Sequence, residues 1–324
     1  MKTKKIGLVG IYFPGAYDAL HENVPEGFEL VDALSPEAYG NLADCEYLIS
    51  RLDIDPDIIN HTPNVKFWQR WGAGFDHVDL KAWGERGIPI ATCPGVNSGI
   101  VAELAIMLML AGYRNLLQIN RQLRAGHWPR TEYFGRSFMI KGKTVGVLGL
   151  GHIGKKVAAL ASAFGANVIY YDIVRQPEQE EQFGYRFVDF DTLLKESDIF
   201  TIHCPLNEET RGMIGAAQFA KMKPTAMLIN TARGPIVDEA ALIDALTMGK
   251  IATAGLDTYE YEPLPKDHPL LTLDNVVASA HAGGNTKDND INMVNYVYHN
   301  IVAFDRGEPL NTPGDIVNGE YLKK

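Results

Sequence analysis

Cysteine is nearly absent from this chain. Cys45, Cys93 and Cys204 are three thiols in 324 residues. A set so sparse, odd in number and without metal-type spacing argues against a disulfide framework or a cysteine-built metal site, and it fits a reduced, cytoplasmic setting. Positive charge is also in deficit. The formal net charge of −10 argues against nucleic acid or an anionic membrane as the main partner. An acidic protein that binds anions must concentrate its positive potential locally, so single arginines gain interest. No apolar run is long enough to span a bilayer; the longest, Ile100 to Tyr113, contains Glu103 and reads as a buried helix. The opening stretch Met1 to Val9 has too short an apolar part for a signal peptide and reaches Pro14 without a cleavage-like site, so it reads as a first β-strand. Repeats, low-complexity segments and Pro-rich or Gly/Ser linkers are missing too. A domain boundary must therefore be carried by a helix.

What is present is the pattern of a soluble α/β protein. The length predicts about two domains with ample core. Strand-like runs at Ile6–Ile11, Phe28–Leu34, Tyr47–Ser50, Val65–Trp71 and Ile88–Thr92 alternate with helix-like segments, which implies a parallel sheet. One long helix is expected from about Val101 to Arg124, with Trp128 just beyond it. Further strands follow at Lys143–Leu148, Asn167–Tyr171, Ile199–His203, Ala226–Asn230, Ala252–Asp257 and Val276–Ser279. Asp238 reads as the N-cap of a helix Glu239–Met248 closed by Gly249, and a last helix is expected from Asp290 to about Arg306.

The sharpest motif lies mid-chain. Gly149-Leu150-Gly151-His152-Ile153-Gly154 follows an apolar strand and opens a helix, His152 to Phe164, with Ile153, Val157, Leu160 and Phe164 on one face. Gly149 allows the tight turn, Gly151 the close approach of a pyrophosphate, and Gly154 close helix–strand packing. The phosphates would rest on the helix N-terminus at His152 and Ile153, where unpaired N–H groups and the dipole favour negative charge. Asp172, about 20 residues on at a strand's end, is placed to hold ribose hydroxyls and repel a 2′-phosphate, which favours NAD over NADP. Arg175 is the one nearby cation that argues the other way, or it is an ordinary surface arginine. A lone glycine fingerprint also occurs as plain packing and in methyltransferases; strand, helix, strand and acid together make dinucleotide binding the reading here. A cofactor loop so far into the chain implies a nucleotide module inserted in another domain.

Downstream, charged residues recur at the carboxyl ends of strands, where open α/β sheets bind ligands. Arg233 follows Asn230-Thr231-Ala232, Asp257 ends Gly255-Leu256, Glu262 precedes Pro263, and His281 follows Ala280. Arginine offers a fixed fork for a carboxylate. Histidine exchanges protons near neutrality, and a neighbouring carboxylate favours its charged form. Each residue alone reads as a surface arginine, a loop acid or a satisfied core histidine. Their joint occurrence at successive strand ends points to an active site.

Taken together, the chain from Gly72 onward resembles the D-2-hydroxyacid dehydrogenase family. The matching stretches are Gly72-Ala73-Gly74-Phe75-Asp76-His77-Val78-Asp79-Leu80, Glu85-Arg86-Gly87-Ile88, Pro94-Gly95-Val96-Asn97-Ser98, Val101-Ala102-Glu103 and the fingerprint. His203-Cys204-Pro205-Leu206 with Thr210, Thr231-Ala232-Arg233-Gly234, Gly255-Leu256-Asp257, Glu262-Pro263 and His281 complete them. The resemblance implies two doubly wound parallel-sheet domains: a flavodoxin-like substrate domain (residues 1–100 and 289–324) with an inserted Rossmann NAD-binding domain (101–288). It implies that Arg233 binds the substrate's carboxylate and keto oxygen, that His281 donates a proton to that oxygen, and that Glu262 pairs with His281. The backbone amides of Ala73 and Gly74 would grip the substrate carboxylate. Gly149, Gly151, His152, Ile153, Gly154, Asp172, Pro205, Thr210, Thr231, Ala232 and Asp257 would contact NAD.

A homodimer through the cofactor domain is also implied, in keeping with the Ile100–Arg124 helix and Trp128. Gly283-Gly284 resembles the phosphoglycerate and glyoxylate branch, so hydroxypyruvate, glyoxylate or 3-phosphohydroxypyruvate is the expected 2-oxo acid. Arg51 and Arg70 would meet a substrate phosphate or carboxylate, or be structural. Ala280 and Tyr261 stand where the family commonly has proline. No serine-type regulatory domain is expected, and no metal. The alternative reading is an NAD(H)-sensing, corepressor-like interaction protein on the same scaffold.

Overall fold

The computed structural model describes residues 3–51, 54–76 and 78–322. The chain divides into two compact units, Met1–Asn97 with Asn285–Lys324, and Ser98–Gly284. Met1 and Lys2 of the expected first strand, and His77 of the family motif, lie outside the described residues.

The first unit holds β1 (Lys4–Gly10), β2 (Phe28–Ala33), β3 (Tyr47–Arg51), β4 (Phe67–Arg70) and β5 (Ile90–Ala91), with α1 (Pro14–Glu22) and α2 (Leu80–Glu85). All pairings are parallel, in the order β2-β1-β3-β4-β5, the flavodoxin-like arrangement. Strand periodicity sends alternate side chains to opposite faces, and both faces are covered. Ile6, Leu8, Tyr47, Ile49 and Phe67 pack on one side against α1 and the last helix, while Val9, Leu48 and Trp68 pack on the other with Trp83.

The second unit opens with α3 (Ser98–Tyr113) and α4 (Leu116–Arg124), followed by β6 (Thr144–Leu148), α5 (His152–Ala163), β7 (Asn167–Tyr171), α6 (Pro177–Phe183) and β8 (Arg186–Phe187). Then come α7 (Phe190–Glu196), β9 (Ile199–Ile202), α8 (Ala216–Phe219), β10 (Met227–Asn230), α9 (Glu239–Thr247), β11 (Thr253–Leu256), α10 (Pro269–Thr272) and β12 (Val276–Ala278). The chain returns to the first unit through α11 (Lys287–Arg306). The seven strands are parallel in the order β12-β11-β10-β9-β6-β7-β8. Chain direction across the sheet reverses between β6 and β9. Open α/β sheets bind dinucleotides in the crevice at that point, beyond the strands' carboxyl ends.

Two expectations need correction. The single helix to Arg124 is two helices bent by 62°. Asn115 breaks it: its backbone is left-handed (φ 50°, ψ 38°), and its Nδ2 donates to Arg136 O and Ser137 Oγ. Asparagine tolerates this conformation because its short side chain bonds locally. The expected face of α5 holds in part: Val157 is buried and Ile153 and Leu160 pack against the core, but its centre is shifted toward small residues. Gly154, Val157, Ala158 and Ala161 face inward, and Phe164 is exposed. Small residues win that face because α5 lies close against the sheet and α3. By contrast Asp238 caps α9 as expected, accepting from Ala241 N, and Gly249 closes it at φ 66°. Among the described residues no single helix is long and apolar enough to cross a membrane.

A buried polar network ties α11 to the first sheet. Asn300 is fully buried, donates to Gln69 Oε1 and Asp315 Oδ2 at 2.9 Å each, and accepts from Asn311. Asp315 also accepts from Tyr296 Oη. Removing one member leaves buried groups unsatisfied, at about 1–3 kcal/mol each. Asn300→Ala is therefore expected to lower unfolding stability by about 2–3 kcal/mol in urea titration. A loss within about 0.5 kcal/mol, the range of a neutral surface change, would contradict the network's role.

Candidate active site

The fingerprint loop leaves β6 and turns at Gly149, whose φ is 90°. A Cβ there would meet Cys204 N at 2.7 Å, and one on Gly154 would meet Gly149 O at 2.0 Å. Only glycine lets the loop pass between the ends of β6 and β9 and lets α5 start against it. Gly151 differs, because a Cβ would meet nothing within 4 Å. That open space fronts the N-terminus of α5, which has no side-chain cap at Gly151. Uncapped amides at His152 and Ile153 beside open space suit a pyrophosphate.

Asp172 braces this loop, with Oδ2 accepting from Leu150 N at 2.6 Å and Oδ1 from Val174 N at 3.1 Å. Across the switch point, His203 Nε2 pairs with Thr201 Oγ1 at 2.8 Å while the buried Nδ1 has no partner among the described residues. Burial pushes its imidazole down to about 3, so it is neutral at physiological pH. The buried Thr231 Oγ1 and Thr258 Oγ1 also have no partner among the described residues. Buried polar atoms rarely stay unpaired, so His203 Nδ1 and Thr231 Oγ1, just past the ends of β9 and β10, fit a polar ligand. Thr210 Oγ1 is engaged locally, donating to Pro205 O at 2.7 Å, so its effect is to shape the turn carrying Pro205.

The catalytic candidates sit at the ends of β10, β11 and β12. Asn230, the last residue of β10, is 1% exposed; its Oδ1 accepts from Ala232 N and its Nδ2 donates to Arg233 O. This side chain folds the Thr231-Ala232-Arg233 turn. Gly234 then presses against the next loop, where a Cβ would meet Tyr259 C and O at 1.9 Å. The partly buried Arg233 thus lies beside the loop that carries Glu262.

Asp257 does the same work one strand on, with more bonds. It is 2% exposed. Oδ1 accepts from Ser279 Oγ at 2.6 Å and Ala282 N at 2.9 Å, Oδ2 accepts from Gly283 N at 2.9 Å, and its backbone carbonyl accepts from His281 N at 2.8 Å. Gly283 is needed there, since a Cβ would crowd Asp257 Oδ2 at 2.9 Å. Clamped so, His281 adopts φ 49°, a left-handed backbone that costs a non-glycine residue about 1–2 kcal/mol. The loop geometry is set by Asp257, and Ala280 suffices where proline is common.

His281 Nδ1 lies 2.6 Å from Glu262 Oε2. A carboxylate only accepts, so Nδ1 carries the proton. Nε2 has no partner among the described residues, on a side chain about half exposed. Glu262 Oε1 accepts from Tyr259 N at 3.0 Å. Burial pushes the Glu262 carboxyl up, but the bonds from His281 and Tyr259 outweigh it, and Arg233 adds to the pull; the group is held below its usual range. The loop has an outer prop that sequence reasoning missed: Glu239 accepts from Glu260 N and pairs with His268 at 3.0 Å.

In the first unit, Gly72 turns at φ 121° and its carbonyl accepts from Cys93 N. Among the described residues the amides of Ala73 and Gly74 donate to no other group, as an anion grip requires. Arg51, at the end of β3, donates to Ile11 O at 2.9 Å and Asn285 Oδ1 at 3.1 Å, with its guanidinium over Phe13. It is a strut of its own unit. Arg70 Nη1 reaches Ser50 Oγ at 3.4 Å.

The family model described as "D-isomer specific 2-hydroxyacid dehydrogenase, NAD binding domain" matches residues 106–283. The chain is 43% identical over 261 residues to a D-3-phosphoglycerate dehydrogenase of Archaeoglobus fulgidus, covering 81% of this chain but 49% of that protein. It thus spans about half the length of that relative. It is 39% identical over 284 residues to a glyoxylate reductase of Korarchaeum cryptofilum, covering 86% and 85% of the two chains. A solved glyoxylate reductase from Paecilomyes thermophila superposes with a TM-score of 0.83 at 32% identity, covering 97% of this chain and 99% of that one. These relatives give no support to a cofactor-sensing interaction protein. With a glycine cradle for the dinucleotide, an arginine, and a histidine–glutamate pair at adjoining strand ends, the chain belongs to the D-isomer specific 2-hydroxyacid dehydrogenase family and is an NAD-dependent oxidoreductase of 2-oxo and 2-hydroxy acids.

Proposed function

We propose that this enzyme reduces a short 2-oxo acid (glyoxylate, hydroxypyruvate or 3-phosphohydroxypyruvate) to the D-2-hydroxy acid, with His281 as the proton donor. The carrying observation is the 2.6 Å pair between His281 Nδ1 and Glu262, which leaves Nε2 without a partner among the described residues. Similarity to glyoxylate reductases and phosphoglycerate dehydrogenases supports the substrate class.

NADH, held at the glycine cradle by the amides of His152 and Ile153, would supply a hydride to the carbonyl carbon. Negative charge then develops on the keto oxygen and must be met by a positioned acid and a cation. His281 Nε2 gives its proton to that oxygen, and Glu262 holds the ring in the required orientation. Arg233 binds the substrate carboxylate and the keto oxygen with its planar fork. The amides of Ala73 and Gly74 supply further donors to the carboxylate. In the oxidation direction the neutral His281 takes the hydroxyl proton. Asp257 keeps the His281 loop in its strained form, and it would also border the nicotinamide.

The functional unit in this reading is a homodimer. The segment from Met107 to Met139 exposes Leu116, Leu117, Trp128 and Phe134, the last two at 79% and 75%. No residue of α4 is buried in the single chain. Apolar surface of this extent marks an interface. The free Cys45, Cys93 and Cys204 fit the reducing cytoplasm.

A panel of 2-oxo acids with NADH tests the reaction, and failure to reduce any of them would sink it. His281→Ala is expected to lower kcat by about 10²–10⁴, the usual contribution of general acid catalysis, while NADH affinity holds. Turnover near wild type would remove His281 from the mechanism. Asp257→Asn presents a donor to the Gly283 or Ala282 amide. It should lower kcat and speed amide exchange at both residues; unchanged exchange would show that the carboxylate does not hold the loop. Light scattering should give twice the chain mass, and Trp128→Glu with Phe134→Glu should give the monomer. A wild-type monomer would contradict the dimer.

A further inference from the structure

Beyond the glycine cradle, the end of β7 carries an arrangement that the dinucleotide reading does not account for. Arg175 lies three residues past Asp172 and is a cation suited to a 2′-phosphate on the adenosine ribose. It is not available. Its Nε and Nη2 donate to Glu180 Oε1 and Oε2 at 2.8 and 2.7 Å, a two-pronged fork. Glu180, on α6, has a side chain only 18% exposed, against 61% for Arg175. Tyr170 Oη donates to the same Oε1 at 2.8 Å and accepts from Gln176 N at 2.8 Å. Tyr170 belongs to β7 and is fully buried, so the clamp is anchored in the sheet. The guanidinium also lies over Phe187 of β8, 5.6 Å from the ring centre. The bonds from Arg175 and Tyr170 pull the Glu180 carboxyl down to about 2, so it stays ionised at any working pH.

We propose that Glu180 is a cofactor-specificity residue, which holds Arg175 in a bidentate pair and so withholds the cation that a 2′-phosphate needs. NADP(H) is then excluded twice, by the Asp172 carboxylate and by the sequestered arginine. For Arg175 to turn to a phosphate it must break the fork, leaving the mostly covered Glu180 carboxylate without its cation beside an incoming anion. The pair is partly in water and screened, so the discrimination it adds is a factor of tens at most. A consequence follows for Asp172: its neutralisation alone leaves Arg175 locked and admits the 2′-phosphate poorly.

The inference rests on dinucleotide binding at Gly149–Gly154, and calorimetry with 5′-AMP and adenosine 2′,5′-bisphosphate separates the two. Glu180→Gln keeps an acceptor for Tyr170 and weakens the fork. It should leave 5′-AMP affinity within about twofold and tighten the bisphosphate roughly tenfold. Asp172→Asn with Glu180→Gln should gain more than Asp172→Asn alone. Adding Arg175→Ala to Glu180→Gln should abolish the gain, while Arg175→Ala alone should change neither ligand. An unchanged bisphosphate affinity in Glu180→Gln overturns the proposal, as does a gain that survives Arg175→Ala. So does a bisphosphate loss in Arg175→Ala alone, which would show the arginine already in use. If 5′-AMP does not bind the wild type, the dinucleotide reading falls and takes the proposal with it.

Discussion

The active-site geometry depends on one buried carboxylate. Asp257 takes Ser279 Oγ and the amides of Ala282 and Gly283 on its side chain, and the amide of His281 on its backbone carbonyl. A charge this deep is tolerable only when such donors replace its water. The same bonds hold His281 in a left-handed conformation that an isolated loop would leave. The histidine therefore meets Glu262 with its Nδ1, and its Nε2 has no partner among the described residues. The strain resides at the proposed proton donor, and its restraint lies one strand away.

Asn230 repeats the arrangement at the end of β10, where one buried side chain folds the turn that presents Arg233. Parallel sheets make this economical. Every strand ends on the same edge, so short polar residues there can brace neighbouring loops without lengthening them. Gly234 and Gly283 let those loops touch, each at a place where one added methyl would strike backbone or carboxylate. At the cofactor end Asp172 has a dual character, bracing the fingerprint loop through Leu150 N while standing where ribose hydroxyls would bind.

The placement of the candidate residues at strand ends was legible because they follow strands in a regular order and carry side chains that catalysis needs. Both sheets, α9 with its Asp238 cap and the glycine cradle were legible for the same reason, since period and capping are local signals. The break at Asn115 was not. An apolar run flanked by good helix formers hides a residue whose left-handed turn is paid for by bonds to Arg136 and Ser137, about 20 positions away. On α5 the sequence marks Ile153, Val157 and Leu160, which do pack against the core, but not Gly154, Ala158 and Ala161, because small residues carry little hydrophobic signal, and close packing selects them over Phe164. The bracing roles of Asn230, Asp257 and Glu239 also depend on partners distant in sequence, Asp257 on donors 22 to 26 residues downstream. Arg175 reads from sequence as a cation for a 2′-phosphate or an ordinary surface arginine; only the fold brings it into a fork with Glu180.

The central claim concerns which imidazole nitrogen His281 presents. Long-range ¹H–¹⁵N NMR of the histidine-labelled enzyme, in a pH range where the ring is neutral, measures this directly. The account predicts a protonated Nδ1, with a downfield proton in slow exchange, and a bare Nε2. A spectrum with the proton on Nε2 and Nδ1 bare would contradict it, because the carboxylate of Glu262 would then have no proton to accept.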